Sequence, residues 1–223
     1  MKKTLLATAL VLGVMATGSA FAGSFSLGGI QVNTPTTTTT STAKTSTAAT
    51  SANVTQMKNQ IAALNNKLTS VSSTYETAVN DLVNNLVTAD ELAAYKAKVA
   101  KLKNSESGSK LNIDIAEDGS VAINDAIKSG DLANLKNLSA AKKAAIKKDL
   151  SLLKTTANNY ASIGTDATNL MSSIQKDPKA ALALHSDLVT LAKNAKEAAK
   201  QAKNITKLTA TVTNAFAKSG IKL

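Results

Sequence analysis

A chain with a single histidine and no cysteine has few groups that can hold or move a proton near neutral pH. His185 is that one imidazole. Its nearest carboxylate, Asp187, stands two residues away and so points to a different part of a helix surface, which leaves the ring without an orienting partner and predicts a structural or surface role. The GxSxG elbow of serine hydrolases, the HExxH pair of metalloproteases and the glycine loop that cradles phosphate are all missing. The lack of cysteine also removes disulfides, thiolate metal ligands, a thiol nucleophile and lipid attachment through an N-terminal cysteine. Neither catalysis nor a cofactor is expected.

One set of acids has metal-ligand spacing. Asp114, Asp118, Gly119, Ser120, Val121 and Asp125 fall at positions 1, 5, 6, 7, 8 and 12 of a calcium loop. Ala116 at position 3 cannot ligate, Asp125 is shorter than the usual glutamate, and the residues before Asp114 alternate like a strand where an incoming helix is required. A calcium site on Asp114, Asp118 and Asp125 is therefore the lesser reading beside an ordinary Asp-Gly turn.

Cationic side chains offer the most suggestive chemistry. All 26 basic residues are lysine, and arginine, the residue that grips phosphate bidentately and reads guanine, is absent, which argues against a sequence-specific nucleic-acid reader. Residues 51–141 hold 9 Lys against 10 acids, whereas 142–223 hold 14 Lys against 5, so the excess charge lies toward the C-terminal end. Lys193, Lys196, Lys200, Lys203 and Lys207 repeat at spacings of three and four, offset from the apolar positions of the same segment, with Glu197 the one acid among them. Lys142, Lys143, Lys147 and Lys148 form a second cluster. Such a stripe serves either to keep an alanine-rich helix soluble or to contact an anionic surface, which outside a bacterial cytoplasm means lipid headgroups, acidic polysaccharide or released DNA.

The elements that position these residues read as follows. Lys2 and Lys3, the apolar run Leu5 to Met15 and the small residues of Ala20-Phe21-Ala22 form a bacterial-type secretory signal cleaved after Ala22. Removing Lys2 and Lys3 takes the net charge from +11 to +9. Residues 23–53 read as a tether. Phe25 alternates with Leu27 and Ile30 with Val32, as in an extended peptide or a docking strand, and 13 of the 20 residues from 34 to 53 are Thr or Ser.

From residue 54 to 223 the pattern is that of a helical bundle. Val54, Met57, Ile61, Leu64, Leu68, Val71, Tyr75, Ala78 and Leu82 keep a heptad seam. Thr88 to Glu91 forms a capping box for a second helix ending near Asn104. Leu111, Ile113 and Ile115, then Val121 and Ile123, alternate around Asp118-Gly119 and predict a small β-hairpin insert at about 110–124. Ser139 caps a helix whose apolar positions run from Ile146 to Tyr160 and which Gly164 should end; Asp166 should start a short helix carrying Leu170, Met171 and Ile174. Asp177-Pro178 opens a last helix whose seam, Ala181, Leu184, Leu188, Leu191, Ala195, Ala198, Ala202, Ile205, Thr209, Val212 and Phe216, runs to Gly220.

With 43% apolar residues but 3% aromatics, the core must be built from Ala, Leu, Ile and Val, as close-packed helices are. The expected fold is all-α, an elongated antiparallel bundle of heptad-patterned, coiled-coil-like helices. The expected function is that of an exported, non-enzymatic interaction or structural protein, periplasmic or at the cell surface. Its partner would be an envelope or extracellular protein, an anionic polymer or lipid headgroups, with helix faces also open to a second copy of the chain. The alternative is a membrane-active or lipid-associating protein whose amphipathic helices open onto lipid.

Overall fold

The computed structural model describes residues 25–27, 30–32, 45–130, 135 and 138–221. Residues 1–22, read above as a secretory signal, most of the Thr-rich run and Leu132 lie outside the described residues. Two compact units divide the chain at residues 42 and 43. In the first, β1 (Phe25–Leu27) and β2 (Ile30–Val32) pair antiparallel with Phe25 opposite Val32 and Leu27 opposite Ile30, so the two alternating triplets form a short ladder with each other.

The second unit is all-α. Its described helices are α1 (Thr45–Leu86), α2 (Ala89–Ser105), α3 (Gly108–Ser129), α4 (Ala140–Gln175), α5 (Pro178–Ala183) and α6 (His185–Lys218). Helix α1 begins nine residues ahead of Val54, inside the stretch read as tether. Residues 51–53 are exposed there. Ala48, Ala49 and Ala52 are strong helix formers, and once a helix exists each further residue adds a hydrogen bond at little cost. The heptad seam of α1 is buried from Ile61 through Leu82, while Val54 and Met57 are only half-buried. Its outer threonines turn inward chemically: Thr55, Thr69, Thr74 and Thr77 each donate a hydroxyl to the carbonyl four residues earlier.

Contacts fix how the long helices run. Lys67 meets Asp166 at 3.2 Å, and Tyr75 meets Tyr160 edge-on with ring centroids 6.2 Å apart, so α1 and α4 point in opposite directions. Helices α4 and α6 are opposed in the same way, with Gly164 beside Ala195 to Ala199 and Lys154 to Asn158 beside Thr206 to Asn214. Helix α3 runs alongside α1 in the same direction: Asn112 donates to Ser72, and Gly119 lies against Val79 and Val83.

Three sequence expectations give way. The hairpin at 110–124 is the middle of α3. Period-two alternation in Leu111, Ile113 and Ile115 competes with Ala116, Gly119, Ile123 and Ala126, which are buried at helical spacings of three and four. Packing decides the conflict, because Gly119 brings α3 so close to α1 that a Cβ there would lie 2.5 Å from Val79 Cγ1. The glycine read as a turn is a site of close approach.

Gly164 does not end α4, which continues through it and absorbs the short helix expected from Asp166. Buried Ile163, Ala167, Leu170 and Ile174 carry the helix across the glycine, and their packing outweighs its cost of about 1 kcal/mol. The last helix is interrupted at Leu184, whose backbone leaves the helical region, so α5 is a separate turn capped by Asp177. Leu184 is itself fully buried, which anchors the break in the core.

The expected starts at Thr88 and Ser139 are present. Thr88 and Glu91 satisfy each other's backbone N–H groups, and the Ser139 side chain accepts from the Lys142 N–H.

Candidate functional site

The lysine stripe belongs to α6. Leu191, Ala198, Gln201, Ile205, Leu208, Val212 and Phe216 bury one side of this helix, and at 100° per residue Lys193, Lys196, Lys200, Lys203 and Lys207 cluster roughly 200° around from the centre of that side. All five are exposed. They extend over about 21 Å at 1.5 Å per residue. The structure thus places the five as one outward row, at rises alternating between about 4.5 and 6 Å.

The centre of the row is different from its ends. Lys200 lies 2.8 Å from Glu117 Oε1 on α3 and 3.5 Å from Glu197 Oε1. The hydrogen bond to Glu117 raises the Lys200 pKa, with smaller upward contributions from the two negative charges, against a partial loss of hydration. Beneath it Gln201, with no exposed surface, donates its amide to both Glu117 at 2.6 Å and Glu197 at 2.5 Å. The two carboxylates are therefore held by an amide from below and an ammonium from outside. Lys193, Lys196, Lys203 and Lys207 make no ion pair among the described residues.

Gln201 is not legible as a core residue from the sequence alone. The buried stripe follows 198, 201, 205, 208, 212 and 216, one residue aside from the expected seam at Ala202 and Thr209. The signal was Leu208, which fits the shifted register and is 2% exposed. Thr209 is buried as well, its hydroxyl spent on the Ile205 carbonyl.

The second cluster is not continuous with the first. Lys142, Lys147 and Lys148 are exposed and Lys143 half-buried near the start of α4. Because α4 runs against α6, with Lys154 to Asn158 beside Thr206 to Asn214, residues 142–148 lie level with the C-terminal end of α6, beyond the stripe. Lys147 and Lys148 line a shallow groove with Ala144, Ser151, Leu152 and Thr155.

The calcium loop is not formed. Asp114, Asp118 and Asp125 sit on the continuous helix α3, where the first and last are about 16 Å apart along the axis and cannot reach one ion. Asp114 is engaged by Lys110 at 2.8 Å and Asp125 by Lys128 at 3.6 Å. Partial burial pushes the Asp114 carboxyl up, but the hydrogen bond donated by Lys110 and the Lys110 charge bring it below the ordinary range. Among the described residues no three His, Cys, Asp or Glu side chains are grouped to hold a metal. His185 is exposed at the first position of α6.

Buried polar groups elsewhere serve packing. The Tyr95 hydroxyl donates to Asn80 and to the Ile115 carbonyl above Gly119. Burial raises the Tyr95, Tyr75 and Tyr160 phenols above their ordinary pKa, so none is an acid near neutral pH. Asp149 on α4 is 5% exposed with one carboxylate oxygen unpartnered. Desolvation first, and then the charge of Asp81, lift it to about 6 against the pull of Lys148.

Comparison with protein families, with characterised proteins and with solved structures yields no match. No helix among the described residues is long and apolar enough to cross a membrane.

Proposed function

We propose that this chain is an exported, non-enzymatic interaction protein, an elongated bundle of largely antiparallel helices that contacts an anionic surface through the lysine row of α6. The observation that carries this reading is electrostatic. Lys193, Lys196, Lys203 and Lys207 are exposed on the outward side of a helix whose other side is buried, with no acid paired to them among the described residues, and no Asp or Glu follows Glu197 in the chain. A row of unpaired ammonium groups on a rigid helix produces a positive field that draws polyanions and weakens with salt. The opposed pairs α1 with α4 and α4 with α6 support the scaffold, and the segment 1–22 supports export.

The lipid-associating alternative is less favoured. It requires the apolar faces of the helices to turn outward, yet Tyr75, Leu82, Ile123, Leu153, Tyr160, Leu191 and Phe216 are each under 2% exposed. Opening them would sacrifice about 1.5–3 kcal/mol per large side chain before any lipid contact is gained.

Fractionation of the producing cells tests the reading. Expected are an N-terminus at Gly23 and protein bound to envelope or extracellular material that elutes at high salt. Recovery in the cytoplasm with Met1 intact would overturn export, and retention indifferent to salt would overturn the electrostatic contact.

A further inference from the structure

Helices α4 and α6 leave a groove of about 570 Å³ between their outer sides, lined by Lys154, Ala157 and Asn158 on one wall and Thr206, Thr209, Ala210, Thr213 and Asn214 on the other. Its chemistry is one-sided. No carboxylate lines it, and the sequence explains why: α4 has no Asp or Glu between Asp149 and Asp166, and α6 has none after Glu197. Lys154 is exposed and its ammonium pairs with no acid among the described residues. Lys203 and Lys207 stand on the exposed side of the α6 wall, each three residues from a lining position, Thr206 and Ala210 respectively.

The groove's hydrogen-bonding capacity is divided in an informative way. Thr206, Thr209 and Thr213 donate their hydroxyls to the carbonyls of Ala202, Ile205 and Thr209, so they present methyl groups and spare lone pairs. Asn158 and Asn214 are exposed, and neither carboxamide has a partner among the described residues. Each amide offers two donors and an acceptor. Together the walls supply cations for carboxylates, amides for vicinal hydroxyls, and methyls from Thr, Ala157 and Ala210 for the C–H face of a ring.

Resting on the anionic-surface reading above, we propose that this groove is a binding site for an acidic polysaccharide, with one uronate carboxylate on Lys154, neighbouring carboxylates on Lys203 and Lys207, and ring hydroxyls on Asn158 and Asn214. Single-stranded nucleic acid is a poorer fit, because it needs aromatic platforms for its bases; the chain has no Trp, and among the described side chains Tyr75, Tyr95, Tyr160 and Phe216 are buried. A flat lipid surface would meet the convex lysine row but could not reach the floor of a groove between two helices.

Titration calorimetry of the full mature chain with a galacturonic acid pentamer at low salt tests the proposal, with a glucose pentamer, phosphatidylglycerol vesicles and oligodeoxythymidylate as the other arms. The acidic pentamer is expected to bind, the neutral one not. Asn158→Ala/Asn214→Ala, which leaves net charge and helix content unchanged, is expected to weaken binding about tenfold, as loss of two net hydrogen bonds implies. Full binding by that variant, or a preference for vesicles or oligodeoxythymidylate over the acidic pentamer, overturns the groove while leaving the lysine row as an anion-contacting face. Binding to none of the three anionic probes overturns both.

Discussion

The contact between α1 and α3 can be tested through a single methyl group. A Cβ at residue 119 would lie 2.5 Å from Val79 Cγ1, 3.2 Å from the Tyr95 hydroxyl and 3.3 Å from Val83 Cγ2, and Val79 and Val83 have no exposed surface into which to retreat. Overpacking of this kind costs about 1–3 kcal/mol, and so rigid a neighbour places Gly119→Ala near the upper end. Replacing a mid-helix glycine returns about 1 kcal/mol of helix propensity, so the net loss is about 2 kcal/mol. In a chain of this size that lowers the thermal midpoint by about 4–8 °C, measurable by circular dichroism. Val79→Ala alone removes two buried methyl groups and costs about 2 kcal/mol. It also removes the clashing atom, so adding Gly119→Ala to the Val79→Ala background should cost less than about 0.5 kcal/mol, a coupling of about 1.5 kcal/mol between neighbours. An equal penalty in both backgrounds would refute the reasoning, since a residue-119 turn in a hairpin would be disturbed regardless of what stands at 79.

Gly164 supplies the contrast: a Cβ there finds Ala195 O at 3.5 Å, ordinary contact, so Gly164→Ala should raise stability by about 0.4–1 kcal/mol, and a lower midpoint would contradict the unbroken α4. Thr88→Ala removes the capping box of α2 and should cost about 1 kcal/mol, read from urea midpoints with an unchanged slope. Asp149 makes stability depend on pH. Its carboxyl is protonated in folded and unfolded chains below 3.8; between 3.8 and about 6 the folded chain holds the extra proton, so stability falls as pH rises through that window and the penalty is complete above it. At 1.36 kcal/mol per pH unit the ceiling is about 3 kcal/mol, which solvent screening and local relaxation around the carboxylate reduce to about 1–2 kcal/mol. The change in urea stability from pH 4 to pH 7 should shrink by that amount in Asp149→Asn, and an unchanged pH profile would remove Asp149 from the account.

Much of the helical pattern was legible because it depends on local signals. The seam of α1 from Ile61 onward, the Thr88 box, the Ser139 cap and the Asp177-Pro178 start rest on spacing and on hydrogen bonds within four residues. What escaped depends on neighbours distant in sequence. Gly119 and Gly164 look like punctuation in one dimension, and only α1 and α6 beside them explain why the helices pass through. Leu111 to Ile115 alternates as a strand does, yet α3 buries Ile113, Ile115 and Ala116 against other helices. In the candidate site the lysine row was visible in the spacing of α6 alone. Its pinned centre was not, because Glu117 comes from α3, 84 residues before Gln201. Nor was the groove, whose walls meet only when α4 and α6 run in opposite directions.

The lysine row of α6 is proposed to contact a polyanion. The most direct test of that contact is the affinity of the chain from Gly23 onward for an immobilised acidic polysaccharide across a salt series, compared with the variant carrying Gln at 193, 196, 200, 203 and 207. Wild-type affinity should fall steeply and linearly on logarithmic axes, and the variant, with native helicity, should lose most low-salt binding and most of the slope, because fewer counterions are released on contact. Equal binding by the two proteins, or wild-type binding that does not change with salt, would contradict it.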